Sequence, residues 1–131
     1  RRDRVPDALG AKMAALEAET AGNDRLLLWI AFDYGSRGEL VEAARKLVED
    51  GVRPQDVSET AVAERLFAPE LPDPDLVVRT SGEIRLSNFL LWQSAYAELV
   101  FTDVLWPDFG EDDLRAALDE YARRGRRFGG R

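Results

Sequence analysis

The amino-acid sequence predicts an α/β fold, a parallel sheet with flanking helices. Two observations carry that expectation. Short apolar runs bounded by turn residues alternate with longer stretches of helical periodicity. The runs are also continuously apolar, which is the habit of parallel strands covered on both faces. A third observation limits the extent. Such strands need neighbours on each side, yet the sequence opens on RRDRVPDALG with neither an initiator methionine nor a strand before its first helix. Residues 1–131 are therefore expected to be a single partial domain, a piece of something longer.

Residues 7–20 are expected to be helical, with Leu9, Met13 and Leu16 on one face and alanines favouring the state. AGND at 21–24 breaks that helix. LLLWIAF at 26–32 follows as a strand buried on both faces, and DYGSRG at 33–38 is the loop that leaves it. Leu40, Val41, Ala44, Leu47 and Val48 fall at helical spacing and end at Asp50-Gly51, a common helix stop. After the connector VRPQDVS, a short helix runs from Ser58 and Thr60 to about Phe67. The prolines of APELPDPD impose an irregular approach to a second strand, Leu76 to Val78. A helix through about Tyr96 and a third short strand, Leu99 to Thr102, come next. The last helix places Leu114, Ala117, Leu118 and Tyr121 on one stripe, with an acidic first turn and a basic end that suit its dipole.

Composition removes much chemistry. Net charge is −7, from 18 basic and 25 acidic side chains, so no basic excess exists to follow a nucleic-acid backbone. A local arginine cluster can still hold a small phosphate. Cysteine and histidine are both absent, which excludes disulfides, a thiolate nucleophile, a Cys/His zinc site and a serine–histidine pair. Carboxylates, hydroxyls, arginines and hard cations such as Mg²⁺ remain. LLLWIAF is far shorter than the roughly twenty residues of a membrane helix, and the lack of cysteine suits the cytosol. A soluble, cytoplasmic protein is expected.

The densest polar chemistry is RTSGEIRLSN, residues 79–88, set between apolar DLVV and FLLW. It falls at the carboxyl end of a predicted strand, where open parallel sheets bind ligands. The planar forks of Arg79 and Arg85 match phosphate oxygens, and two forks match a diphosphate. Ser87 stands where the next helix is expected to start, as its N-cap, and Gly82 permits close backbone approach. A plainer reading also holds for each residue alone. An arginine after a strand can pair with a neighbouring carboxylate, and Ser87 can be a cap and nothing more. Spacing by itself names the ligand only as a phosphate.

DLVVRTSGEIRLSNFLLWQSAYAELVFTDVLWPDF, residues 75 to 109, closely resembles the C-terminal signature of the cis-prenyltransferases, typified by undecaprenyl diphosphate synthase. The resemblance runs on into RRGRRFGG and back through YGSR to the first helix, so it covers nearly the whole chain. It implies the C-terminal half of the undecaprenyl diphosphate synthase-like fold. It also implies a transferase that condenses isopentenyl diphosphate with an allylic diphosphate to make a cis-polyprenyl diphosphate, with Mg²⁺ as cofactor. By motif, Arg79, Arg85 and Ser87 match the groups that hold isopentenyl diphosphate, and Glu98 in YAELVF matches the family's metal-associated glutamate. Arg127 and Gly129 match the RxG element that reaches the partner's site in a homodimer. A helix end followed by glycines is their plainer reading. Peripheral membrane contact for product release is part of the same expectation.

The departures are equally specific. The loop reads DYGSR where the family commonly has NYGGR, and Trp29 is bulky where a smaller residue is usual, changes that point to an altered tunnel and product length. The family's Asp-Gly-Asn-Gly-Arg-Trp-type segment, with its catalytic aspartate and allylic pocket, is not found in residues 1–131. No catalytic residue is therefore expected in this chain, and alone it is expected to be inactive. Two alternatives stand beside this reading: a non-catalytic partner subunit of a heteromeric cis-prenyltransferase, and a generic diphosphate-binding α/β module.

Overall fold

The computed structural model describes residues 4–124. The chain divides into two compact units, the first ending at Tyr34 and the second beginning at Gly35.

In the first unit, helix α1 spans Asp7–Thr20 and starts at Pro6, whose carbonyl accepts from the Leu9 and Gly10 amides. The expected helix is there, but the stripe of Leu9, Met13 and Leu16 is not buried: α1 has no buried residue. Arg4 pairs with Asp33 at 3.1 Å near the unit's end. The expected strand at 26–32 does not form. That segment has no regular structure, and Leu26 to Ile30 are between 49% and 79% exposed. A strand exists only as one side of a hydrogen-bonded ladder, and apolar composition cannot supply the other side.

The second unit opens with helix α2, Ser36–Glu49. Its buried face is Ser36, Glu39, Ala43 and Leu47, whereas Val41 and Val48 of the expected stripe are 60% and 80% exposed. The inward face is thus rotated and carries two polar side chains. Gly51, at φ +67, ends the helix, with the Val52 amide donating to the Leu47 carbonyl at 3.0 Å. Helix α3, Glu59–Ala63, is shorter than expected and is capped by Ser58, whose hydroxyl accepts from the Ala61 amide at 3.1 Å. It packs on α2, and Arg65 just beyond it pairs with Asp50 at 2.8 Å.

Strands β1, Leu76–Arg79, and β2, Glu98–Phe101, form a two-stranded parallel sheet. Leu76 faces Glu98 and Arg79 faces Phe101 across the ladder. The connection between them is a chain of turns instead of the expected helix. Ser87, Asn88 and Leu90 all have positive φ, a backbone that a right-handed helix does not admit. Ser87 therefore has no helix to cap. Helix α4, Glu111–Arg123, packs against β2 and is fastened at its start by the Gly110 amide donating to Asp113 Oδ2 at 2.9 Å. Of its expected stripe only Ala117 is buried. With Ala43, Leu47 and Leu66, it makes up the small apolar core.

Candidate functional site

β1 ends on Arg79, and the chain turns sharply there. Ser81 and Gly82 are both left-handed, at φ 70 and 68. Their amides donate to the Val104 carbonyl at 2.8 Å and the Thr102 carbonyl at 2.9 Å, so the segment leaving β2 holds the turn. Gly82 is needed twice over: its φ suits glycine, and a Cβ there would sit 3.1 Å from Asp103 Oδ1.

This turn borders a cavity of about 260 Å³, lined by apolar Val77, Val78, Leu86 and Phe89 and by Arg79, Thr80 and Arg85. Both arginines singled out in the sequence therefore meet at one cavity at the carboxyl end of β1. Their states differ. Arg85 is largely exposed and pairs with Glu83, two residues away. Arg79 Nε is buried and has no hydrogen-bond partner among the described residues. A buried guanidinium N–H without an acceptor is costly, by roughly 1–3 kcal/mol or more for a charged group. Ser87 is exposed, at φ 49, and is not part of the lining.

The far end of the loop is tied to α2. The Ser36 amide donates to the Asn88 carbonyl at 2.8 Å, and the Arg37 amide donates to Asn88 Oδ1 at 2.8 Å. In return, the buried Ser36 hydroxyl accepts from the Leu91 amide at 3.1 Å. One turn further along α2, Glu39 is 1% exposed, with its carboxylate accepting from the Phe67 amide at 3.0 Å and Gln93 Nε2 at 3.2 Å. Sequence reading missed both Asn88 and Glu39. The apolar-stripe pattern ignores a polar residue such as Glu39 on an inward face, and the partners of Asn88 lie about fifty residues away in sequence.

Glu98 lies elsewhere. It begins β2, level with Leu76, while Arg79 is level with Phe101 at the other end of the ladder. Side chains alternate along a strand, so the register also puts Glu98 with Leu76 and Val78 on one face and Arg79 with Val77 and Phe101 on the other. One chain does not bring this carboxylate to the cavity. Arg124 holds Glu98 instead: Nη1 donates to Glu98 Oε2 at 3.0 Å and to the Leu99 carbonyl at 2.9 Å, while Nε donates to Glu120 Oε1 at 3.0 Å. The bonds to Glu98 and then Glu120 raise Arg124 above the ordinary guanidinium value. The bonds from Arg124 and then Arg123 lower the Glu120 carboxyl below the ordinary glutamate value.

No group of three or more acidic, histidine or cysteine side chains that could hold a metal occurs among the described residues. Glu98 alone suits a cation that takes the rest of its shell from phosphate oxygens and water, not one caged by protein. Arg127 and Gly129 lie outside the described residues. No helix among those described is long and apolar enough to cross a membrane.

Comparison with known proteins gives one consistent result. The family model "Putative undecaprenyl diphosphate synthase" matches residues 1–129. An isoprenyl transferase of Fusobacterium nucleatum is 50% identical over 130 residues, covering 99% of this chain and 55% of its own length. Isoprenyl transferase 2 of Bradyrhizobium diazoefficiens is 50% identical over 133 residues, covering 98% of this chain and 53% of its own. The solved structure of lavandulyl diphosphate synthase from Lavandula x intermedia, in complex with dimethylallyl diphosphate, superimposes with a TM-score of 0.91 at 41% identity. It covers 98% of this chain and 57% of that one. The chain spans about half the length of the curated relatives it matches.

Proposed function

Because the chain belongs to the undecaprenyl diphosphate synthase family of prenyltransferases, we propose that its cavity at the end of β1 binds isopentenyl diphosphate for condensation with an allylic diphosphate. The observation that carries the reading is that Arg79 and Arg85 line one cavity whose other walls, Thr80 apart, are apolar. Val77, Val78, Leu86 and Phe89 are suited to a five-carbon hydrocarbon. Diphosphate oxygens would take the Arg79 fork and draw Arg85 from Glu83, since two cations on one dianion outweigh a single exposed ion pair. Ser87, two residues beyond Arg85, would add a hydroxyl after a modest turn of the loop.

In the condensation, the allylic C–O bond breaks, the isopentenyl double bond attacks the electron-poor carbon, and a proton is lost. The residues here contribute position and charge, not a nucleophile. Mg²⁺, when bound, supplies positive charge to diphosphate oxygens. Glu98 is the carboxylate proposed to hold it, and this requires Arg124 to share or release Glu98 Oε2. The separation of Glu98 from the cavity agrees with a homodimer in which sites draw on both copies, and Arg127 and Gly129 are assigned to the same shared role. The aspartate that drives the allylic step is not among residues 1–131, so the isolated chain is proposed to bind its diphosphate without turning it over. We place this chemistry in the cytoplasm.

Calorimetric titration with isopentenyl diphosphate, inorganic pyrophosphate and a nucleotide tests the reading. Isopentenyl diphosphate should bind tightest, and Arg79→Ala should weaken it by roughly tenfold to a hundredfold, the worth of a charge-assisted bond of about 1.5–3 kcal/mol. Equal affinity for all three ligands, or no effect of Arg79→Ala, refutes it. Prenyl transfer by the 131-residue chain would refute the proposed inactivity.

A further inference from the structure

We infer that Asn88 is a positioning residue for the diphosphate loop: by capping the first turn of α2 it anchors, beside the cavity, the loop that carries Arg85 and Ser87. This rests on the reading of Arg79 and Arg85 as diphosphate-binding groups.

A helix leaves its first amides without partners inside the helix, and a side chain just before it usually accepts from them. At α2 that place is taken by Gly35, which has no side chain to offer. The acceptors come from Asn88 instead, 51 residues from Arg37 in sequence. Its main-chain carbonyl takes the Ser36 amide and its Oδ1 takes the Arg37 amide, each at 2.8 Å. Asn88 reaches this position at φ 63, with Ser87 at 49 and Leu90 at 44. Such backbone is disfavoured for residues with a Cβ, and asparagine tolerates it better than most. The Leu91 amide, bonded to Ser36 Oγ at 3.1 Å, closes the far side of the bracket.

Arg85 therefore lies between two tethers. One is the Ser81–Gly82 turn, bonded to Val104 and Thr102, and the other is Asn88 on α2. Without the Asn88 carboxamide, the second tether keeps only the main-chain bond to Ser36 and the Leu91 bond to Ser36 Oγ, and the loop that carries Arg85 and Ser87 is held less firmly at that end. The ligand must then order the loop itself, which lowers affinity without removing any group that touches it.

Gly35 gives access to the same contact from the other side. A Cβ at Gly35 would lie 2.8 Å from Asn88 Nδ2, the end of a side chain that can swing away. Gly35 is extended, at φ −157, which alanine also adopts. Gly35→Ala thus displaces the carboxamide and disturbs little else.

The test is calorimetric titration of the 131-residue chain with isopentenyl diphosphate, alongside thermal unfolding. Asn88→Ala, Asn88→Gly and Gly35→Ala are each expected to weaken binding by about fivefold to tenfold, the equivalent of one lost cap. The Gly35→Ala/Asn88→Ala double variant should be no worse than Asn88→Ala alone, since both act on one contact. Wild-type affinity in Asn88→Gly would assign the residue to backbone conformation alone and overturn the inference, as would additive losses in the double variant. Arg79→Ala is measured in parallel. If it binds normally, the underlying reading fails. If it loses binding while Asn88→Ala and Gly35→Ala do not, only the role of Asn88 falls.

Discussion

Replacing Glu39 by leucine separates two accounts of the core of the second unit. Glu39 is 1% exposed, and its carboxylate accepts from the Phe67 amide at 3.0 Å and from Gln93 Nε2 at 3.2 Å. Hydrogen bonds to a charged acceptor contribute about 1.5–3 kcal/mol each, so two amount to roughly 3–6 kcal/mol. Burying a carboxylate opposes this by an amount that removing the charge recovers, on the order of a few kcal/mol. The net expectation for Glu39→Leu is a loss of about 1–3 kcal/mol, because leucine restores volume but leaves the two donors without this acceptor. Glu39→Ala adds a cavity that leucine would fill and should cost about 2–3 kcal/mol more. Glu39→Gln keeps one acceptor and should lose about half as much as leucine. Urea unfolding, read as a change in midpoint at constant slope, measures all three. If Glu39→Leu is as stable as the parent, the carboxylate is not what joins α2 to the segments around Phe67 and Gln93, and the reasoning fails.

Other expectations follow from single contacts. Glu120 has its carboxyl lowered by the bonds from Arg124 and Arg123, so its contribution to stability is present above the ordinary value of 4.5 and is lost as pH falls through the lower folded value. Glu120→Gln should therefore lower the unfolding temperature near neutrality and flatten the acid limb of its plot against pH, the two proteins converging at low pH; an unchanged acid limb would contradict the assignment. Gly51 and Gly82 have nearly equal φ, +67 and +68, but a Cβ at 51 meets open space and one at 82 meets Asp103 Oδ1 at 3.1 Å. Gly51→Ala should cost about 1–2 kcal/mol from backbone alone. Gly82→Ala should cost at least that and weaken isopentenyl diphosphate binding as well, which Gly51→Ala should leave intact.

What the sequence made legible was local. The stop at Gly51, the start of a short helix at Ser58 and the acidic start of α4 each depend on residues a few positions apart, and all three are found. The strands at Leu76 and Leu99 were also readable, because continuous apolar runs flanked by turn residues paired with each other. The run at Leu26–Phe32 carries the same signal, but pairing depends on another strand, and composition does not say whether one is within reach. The expected helix after Ser87 failed for a related reason. Residues 87–96 have a helical apolar pattern, yet the amides of Ser36 and Arg37, far away in sequence, draw Asn88 into left-handed backbone. At the site, the grouping of Arg79 with Arg85 was readable from their place after a strand. The position of Glu98 on the opposite face depended on register, which apolar runs too short to alternate do not fix.

The bonds that join α2 to the segment 88–93 span between 51 and 55 residues. Closing a loop of that size must precede any of them, whereas α2, α3 and their shared turn need only neighbouring residues. The helices are therefore expected to form early and the junction late. Substitutions at Ser36 or Asn88 should accelerate unfolding while leaving the refolding rate nearly constant, which stopped-flow chevrons would register. A chain caught before that last closure would have its helices wound while the stretch that carries Arg85 still hung loose from them.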